Sequence, residues 1–167
     1  SIVDYDPGFR VATNLHVSRD LQALALGMPL GVSGVELVKH WRSRTSKLER
    51  LPPLEVNDGP IRENVLTGDD IDLFSFPTPQ WRAPDGGRYI GTGDVTFTTD
   101  IEGEWVNAAP YRAQLFGPKR MTIEIAETHH GKQHLKSFWE AGEHAPIVMV
   151  AGQDPYTYAG ACTPLPA

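Results

Sequence analysis

The sequence predicts an α+β fold, a β-rich core flanked by helices. Three observations carry that expectation. Ser33 and Glu36 form a capping box ahead of Leu37, Val38 and Trp41, an apolar side expected to run as a helix to about Thr45. Residues 89–99 and 105–116 are two extended runs rich in β-branched and aromatic side chains, with Glu102 and Gly103 able to turn between them as a hairpin. Met121, Ile123 and Ile125 alternate with Thr122, Glu124 and Ala126, the period of a half-buried strand.

The remaining elements follow from local signals. Ser18 is placed to cap a short helix over residues 19–27, ended by Gly27 and Pro29. Between residues 51 and 84, prolines at 52, 53, 60, 77, 79 and 84 each remove a backbone donor, so regular structure there must be short. Beyond the adjacent His129 and His130, Leu135, Phe138 and Trp139 fall at helical spacing up to Gly142. Residues 146–151 read as a short apolar strand, and Asp154-Pro155 opens a further helical or turn segment.

At 167 residues and 40% hydrophobic content the chain suits one compact domain. It lacks the run of roughly 18 apolar residues a membrane helix needs, and its first residues lack the order of a secretory signal. A soluble, cytoplasmic protein with no membrane partner is expected. Cys162 is the only cysteine, which excludes an internal disulfide and a multi-cysteine zinc site. The formal charge of −6 opposes a nucleic-acid partner, since phosphate neutralisation requires clustered Lys and Arg.

Chemistry concentrates in Asn107-Ala-Ala-Pro-Tyr-Arg112-Ala-Gln114. Asn107 offers an amide oxygen suited to a hard cation, and Arg112 a planar fork suited to a carboxylate or phosphate. Such residues are more commonly a turn amide and a solvated strand edge, and on chemistry alone that reading leads. His129 and His130, if extended, point to opposite faces, so one can be a ligand and the other a wall, while surface or cap roles are the commoner fate of such a pair. The glycines of 85–93 match neither the Walker nor the dinucleotide pattern, and Cys162 lacks an activating neighbourhood.

Taken in order, Asp85-Gly-Gly-Arg-Tyr89-Ile-Gly-Thr-Gly93, Asn107 to Gln114 with Gly117 and Met121, the histidine pair, Asp154-Pro155 and Thr163-Pro-Leu-Pro166 resemble UbiD-like decarboxylases across nearly the whole chain. The resemblance implies a split β-barrel of flavin-reductase-like type with flanking helices. It divides the chain into part of an N-terminal α/β region (1–50), the proline-rich connector (51–84) and a central cofactor-binding region (85–167). It implies reversible decarboxylation of an unsaturated, aromatic or heteroaromatic acid with prenylated FMN, whose ring system accepts the electrons that no side chain can hold.

By the same resemblance Asn107 and His130 would ligate Mn2+ or Mg2+, with K+ nearby, and Arg112 would be the catalytic residue that holds the substrate carboxylate. Ala109, Pro110, His129, Ala161, Cys162, Thr163 and Pro164 would line the cofactor. Family members often carry serines at Ala109 and at 161–163, so hydroxyl contacts are partly lost here. A third metal ligand and the proton-donating glutamates are expected outside these residues, making the chain a fragment inactive by itself. A homodimer or larger homo-oligomer and a prenyltransferase that supplies the cofactor are the expected partners. Two other functions stay open at this point: a flavin reductase or oxidase using ordinary FMN, and a non-catalytic assembly subunit.

Overall fold

The computed structural model describes residues 11–14, 16–49, 51–91 and 93–164. Thr92 of the glycine-rich run and Pro166 of the final motif lie outside the described residues. Helix α1 (Arg19–Ala25) begins where the Ser18 hydroxyl accepts a hydrogen bond from the Leu21 N–H, and it stops before Gly27, whose φ of 67° a side chain would disfavour. Helix α2 (Gly34–Thr45) carries the expected capping box: Ser33 Oγ accepts from Glu36 N–H at 3.3 Å while Glu36 Oε2 accepts from Ser33 N–H at 2.8 Å. Of its anticipated apolar side, Leu37 is buried but Val38 is exposed. Consecutive residues sit about 100° apart on a helix, so the two cannot share one contact.

The proline-rich stretch folds into three single 3-10 turns, Pro60–Arg62, Gly68–Asp70 and Leu73–Ser75. Leu73 N–H donates to the Pro118 carbonyl and Arg88 Nε to the Thr78 carbonyl, which ties this segment to the sheets.

The centre is strand β1 (Asp94–Thr99), flanked on one side by β2 (Val106–Ala109) and on the other by β5 (Ile147–Ala151), all antiparallel. Strands β3 (Arg112–Gly117) and β4 (Arg120–Glu124) form a separate two-stranded antiparallel sheet. The β1–β2 hairpin turns through Gly103 at φ 76° as expected. The second run, expected as one stretch over 105–116, instead divides between the two sheets. Pro110 has no N–H to give a ladder, so β2 ends before it and the chain turns at the buried Tyr111. The first run is shorter too: Tyr89 makes only an isolated bridge to Gln114, and regular pairing waits until Asp94.

Helix α3 (His130–Glu140) packs on β1 and β2, and α4 (Pro155–Ala161), capped by the Asp154 carboxylate, packs on β1. Of the apolar residues at helical spacing, Phe138 is buried, Leu135 half-buried and Trp139 exposed, and Gly131 and His134 complete the buried face of α3. Trp139 stays exposed under the Lys132 ammonium, 5.0 Å from the ring centre, a stable home for an aromatic at the surface. Trp41 of α2 donates its Nε1–H to Thr163 Oγ1 at 3.1 Å, joining an early helix to the end of the described chain. The architecture is thus mixed helix and sheet. Among the described residues no helix is long and apolar enough to cross a membrane.

Candidate active site

The chemistry-bearing side chains gather where β2 ends, the chain reverses at Pro110 and Tyr111, and α3 begins. Asn107 pairs directly with Thr98 of β1, so the two side chains emerge on the same sheet face. The Asn107 amide donates from Nδ2 to the Tyr111 hydroxyl at 3.4 Å. That bond orients the amide, whose acceptor Oδ1 is the atom a hard cation would use.

Tyr111 is only 4% exposed and its ring stacks on His129 at 5.8 Å between centres. A Cβ at Gly131 would stand 2.7 Å from the tyrosine hydroxyl, so only glycine allows α3 to start this close to Tyr111. His130 turns instead to Trp105, ring centres 4.8 Å apart and nearly edge-on. The adjacent histidines therefore meet different neighbours, with His129 against Tyr111 and His130, already the first residue of α3, against Trp105.

One turn further on, His134 also meets Trp105 edge-on, at 4.6 Å. It is 2% exposed, shares a 3.1 Å hydrogen bond between Nδ1 and Thr98 Oγ1, and has its Nε2 buried without a hydrogen-bond partner. Burial pushes its pKa below the ordinary histidine value, with the Asp100 carboxylate pulling weakly the other way.

Arg112 opens β3 five positions after Asn107 and lies directly opposite Glu124 of β4. Its Nη2 meets Glu124 Oε2 at 2.9 Å, with both side chains 64% exposed. Water screens such a pair, which is worth about 0–1 kcal/mol and opens readily. Ala109 and Pro110 are half-buried between Asn107 and Arg112.

Ala161, Cys162, Thr163 and Pro164 lie at the end of α4, with Ala161 and Thr163 half-buried and Cys162 and Pro164 exposed. Thr163 bonds to Trp41 and to the Ala159 carbonyl, so its hydrogen bonds run to the helices and not to Asn107. Desolvation pushes the Cys162 thiol above its ordinary value, the reverse of an activated nucleophile. Among the described residues no three His, Cys, Asp or Glu side chains gather as a metal set.

Behind the site Asp94 is fully buried, with Oδ2 accepting from Thr96 Oγ1 at 3.0 Å. Burial raises its pKa, opposed by hydrogen bonds from the Thr96 side chain and from backbone. A Cβ at Gly91 would fall 2.1 Å from Asp94 Oδ1 and 2.8 Å from the Tyr111 carbonyl, which explains a glycine there.

Sequence reasoning missed Tyr111, Trp105, His134 and Glu124. His134 stands four residues after His130, a spacing that puts both on one helix face and could have flagged it. Counting back across the tight turn at Pro118 and Lys119 would have paired Arg112 with Ile125, and it is the register irregularity between Leu115 and Gly117 that brings Glu124 opposite Arg112 instead.

The UbiD family model, described as 3-octaprenyl-4-hydroxybenzoate carboxy-lyase Rift-related domain, matches residues 54–167. A phenolic acid decarboxylase of Streptomyces sp. (strain D7) is 33% identical over 150 residues, covering 87% of this chain and 31% of that protein. The vanillic acid decarboxylase of Sedimentibacter hydroxybenzoicus in its closed form superposes with a TM-score of 0.81 at 28% identity, over 96% of this chain and 34% of that one. An evolved dimeric form of the UbiD-class enzyme HmfF from Pelotomaculum thermopropionicum, in complex with prFMN, superposes with a TM-score of 0.71 at 27% identity, over 83% of this chain and 31% of that one. The chain spans about a third of the length of these relatives. With the family model covering residues 54–167, more than half of its length, this chain belongs to the UbiD family.

Proposed function

We propose that this chain provides the cofactor-holding and carboxylate-holding part of an enzyme that decarboxylates an unsaturated, aromatic or heteroaromatic acid with prenylated FMN. The observation that carries this reading is Asn107, fixed by Tyr111 beside the histidine pair, with Arg112 at the head of the next strand. The decarboxylase activities of the relatives and the prFMN complex of HmfF support it.

In this proposal Asn107 Oδ1 and an imidazole nitrogen of His130 hold Mn2+ or Mg2+. The residues fit such an ion: the Asn107 nitrogen faces the Tyr111 hydroxyl, its oxygen is a hard donor, and a mixed oxygen and nitrogen set suits these metals better than thiolate-seeking ones. K+ nearby belongs to the same proposal. Prenylated FMN, when bound, supplies the electron sink that no side chain offers. Ala109, Pro110, His129, Ala161, Cys162, Thr163 and Pro164 form its walls. Arg112 receives the substrate carboxylate through the donors that Glu124 leaves open, fixing the orientation of the acid.

The two antiparallel sheets are proposed as parts of a split barrel of flavin-reductase type, entered through the connector at 51–84 and preceded by an α/β region over 1–50. Homo-oligomeric assembly and supply of the cofactor by a prenyltransferase complete the reading.

Arg112→Ala tests it. Decarboxylation by the cofactor-loaded enzyme should be abolished while metal and flavin content, read by elemental analysis and mass spectrometry, stay near wild type. Near-normal turnover in the variant would remove Arg112 from the role assigned.

A further inference from the structure

We propose that Glu124 determines substrate charge: it restricts the Arg112 site to acids that bring a single carboxylate. This rests on Arg112 holding the substrate carboxylate, and goes beyond that reading by naming the class of acid admitted.

The inference starts from the guanidinium. Arg112 has five N–H donors in a planar fork, and among the described residues its recorded ion pair is one contact, from Nη2 to Glu124 Oε2 at 2.9 Å. The remaining donors are open to a ligand. The strand register sets Glu124 directly opposite Arg112 in the β3–β4 ladder, so its carboxylate stays within reach of whatever Arg112 binds.

The charge balance then decides selectivity. Arg112 and Glu124 together carry no net charge, so an arriving acid is attracted chiefly by directed hydrogen bonds on the open edge. A second carboxylate on that acid finds no further cation paired to Arg112, and it meets the Glu124 carboxylate. Like charges a few ångströms apart repel by roughly 1 kcal/mol in water and more where water is thinned. The first carboxylate is compensated by its bonds to Arg112, and the second is not.

A purely structural role for the pair is the simpler account, since cross-strand ion pairs are common and weak. It makes a different prediction, because a structural pair has no influence on which acid is preferred.

The test uses the cofactor-loaded enzyme with benzoate and phthalate as probes, their dissociation constants measured by calorimetry. Glu124→Gln keeps an acceptor for Nη2 and removes the charge. The preference for benzoate over phthalate should fall about fivefold in this variant, the factor expected for one screened charge pair. Glu124→Asp, which keeps the charge, should retain the preference to within about twofold, and it also guards against a folding defect in the first variant. Arg112→Ala should lose both acids. If Arg112→Ala loses both acids but Glu124→Gln keeps the wild-type preference, the role of Glu124 is refuted and that of Arg112 survives. If Arg112→Ala binds both acids as wild type does, the Arg112 reading fails and this inference with it.

Discussion

At the scale of single residues, Gly131 sets local propensity against tertiary contact. In an isolated helix, replacing glycine by alanine stabilises by about 1 kcal/mol. At Gly131 the new methyl would sit 2.7 Å from the Tyr111 hydroxyl and 3.3 Å from its ring, inside a buried contact. Overpacking of that kind costs about 1–3 kcal/mol, so the contact should outweigh the propensity. Gly131→Ala is therefore expected to lower the unfolding midpoint. If Asn107 holds the proposed metal ion, the variant should also retain less metal, because Tyr111 is the partner of Asn107. A variant as stable as wild type with unchanged metal content would show that Tyr111 can move without consequence. None of this is legible in the sequence, where Gly131 reads as a plain second residue of a helix.

At the scale of elements, the docking of α3 depends on one polar contact in an otherwise covered interface. Thr98 and His134 share a hydrogen bond, and the other ring nitrogen of His134 is already buried without a partner. Thr98→Val preserves shape and leaves both ring nitrogens unpaired. An orphaned buried polar group costs about 1–3 kcal/mol, and urea unfolding should show a loss in that range. A change below about 0.5 kcal/mol would mean that water reaches the ring in solution, since surface substitutions fall within that margin. Periodicity located α3 and its buried Phe138 but passed over His134 and counted the exposed Trp139. It ranks histidine as polar and tryptophan as apolar, whereas His134 finds a hydroxyl inside and Trp139 finds a lysine outside.

At the scale of the whole molecule, Asp94 makes stability depend on pH. Its carboxyl is buried at the head of the central strand and its pKa in the fold is raised above the ordinary 3.8. A raised carboxyl pKa stabilises the fold fully below the unfolded value and loses that contribution as pH rises through the folded one. Wild type should therefore lose stability from about pH 4 upward on account of Asp94, through the raised value. Asp94→Asn should remove that slope and be more stable than wild type at neutral pH, with the advantage vanishing toward pH 3. Parallel unfolding free energies for the two proteins across that range would refute the assignment.

The sequence by itself determined what short-range chemistry decides. The Ser18 and Ser33 caps, the segment opened by Asp154-Pro155, the Gly103 turn and the donor-poor proline segment each act within a few residues, and each appears where it was read. The order of motifs from Asp85 to the histidine pair was enough to reach the family. Tertiary structure alone decided that β5 joins β1 and that the stretch over 105–116 serves two sheets, because such pairing joins residues far apart in the chain. It alone decided that Asn107 answers to Tyr111, Arg112 to Glu124 and His134 to Thr98. The physical reason is common to all three: a polar side chain takes its role from the partner that folding brings within hydrogen-bonding reach, and spacing in sequence does not name that partner.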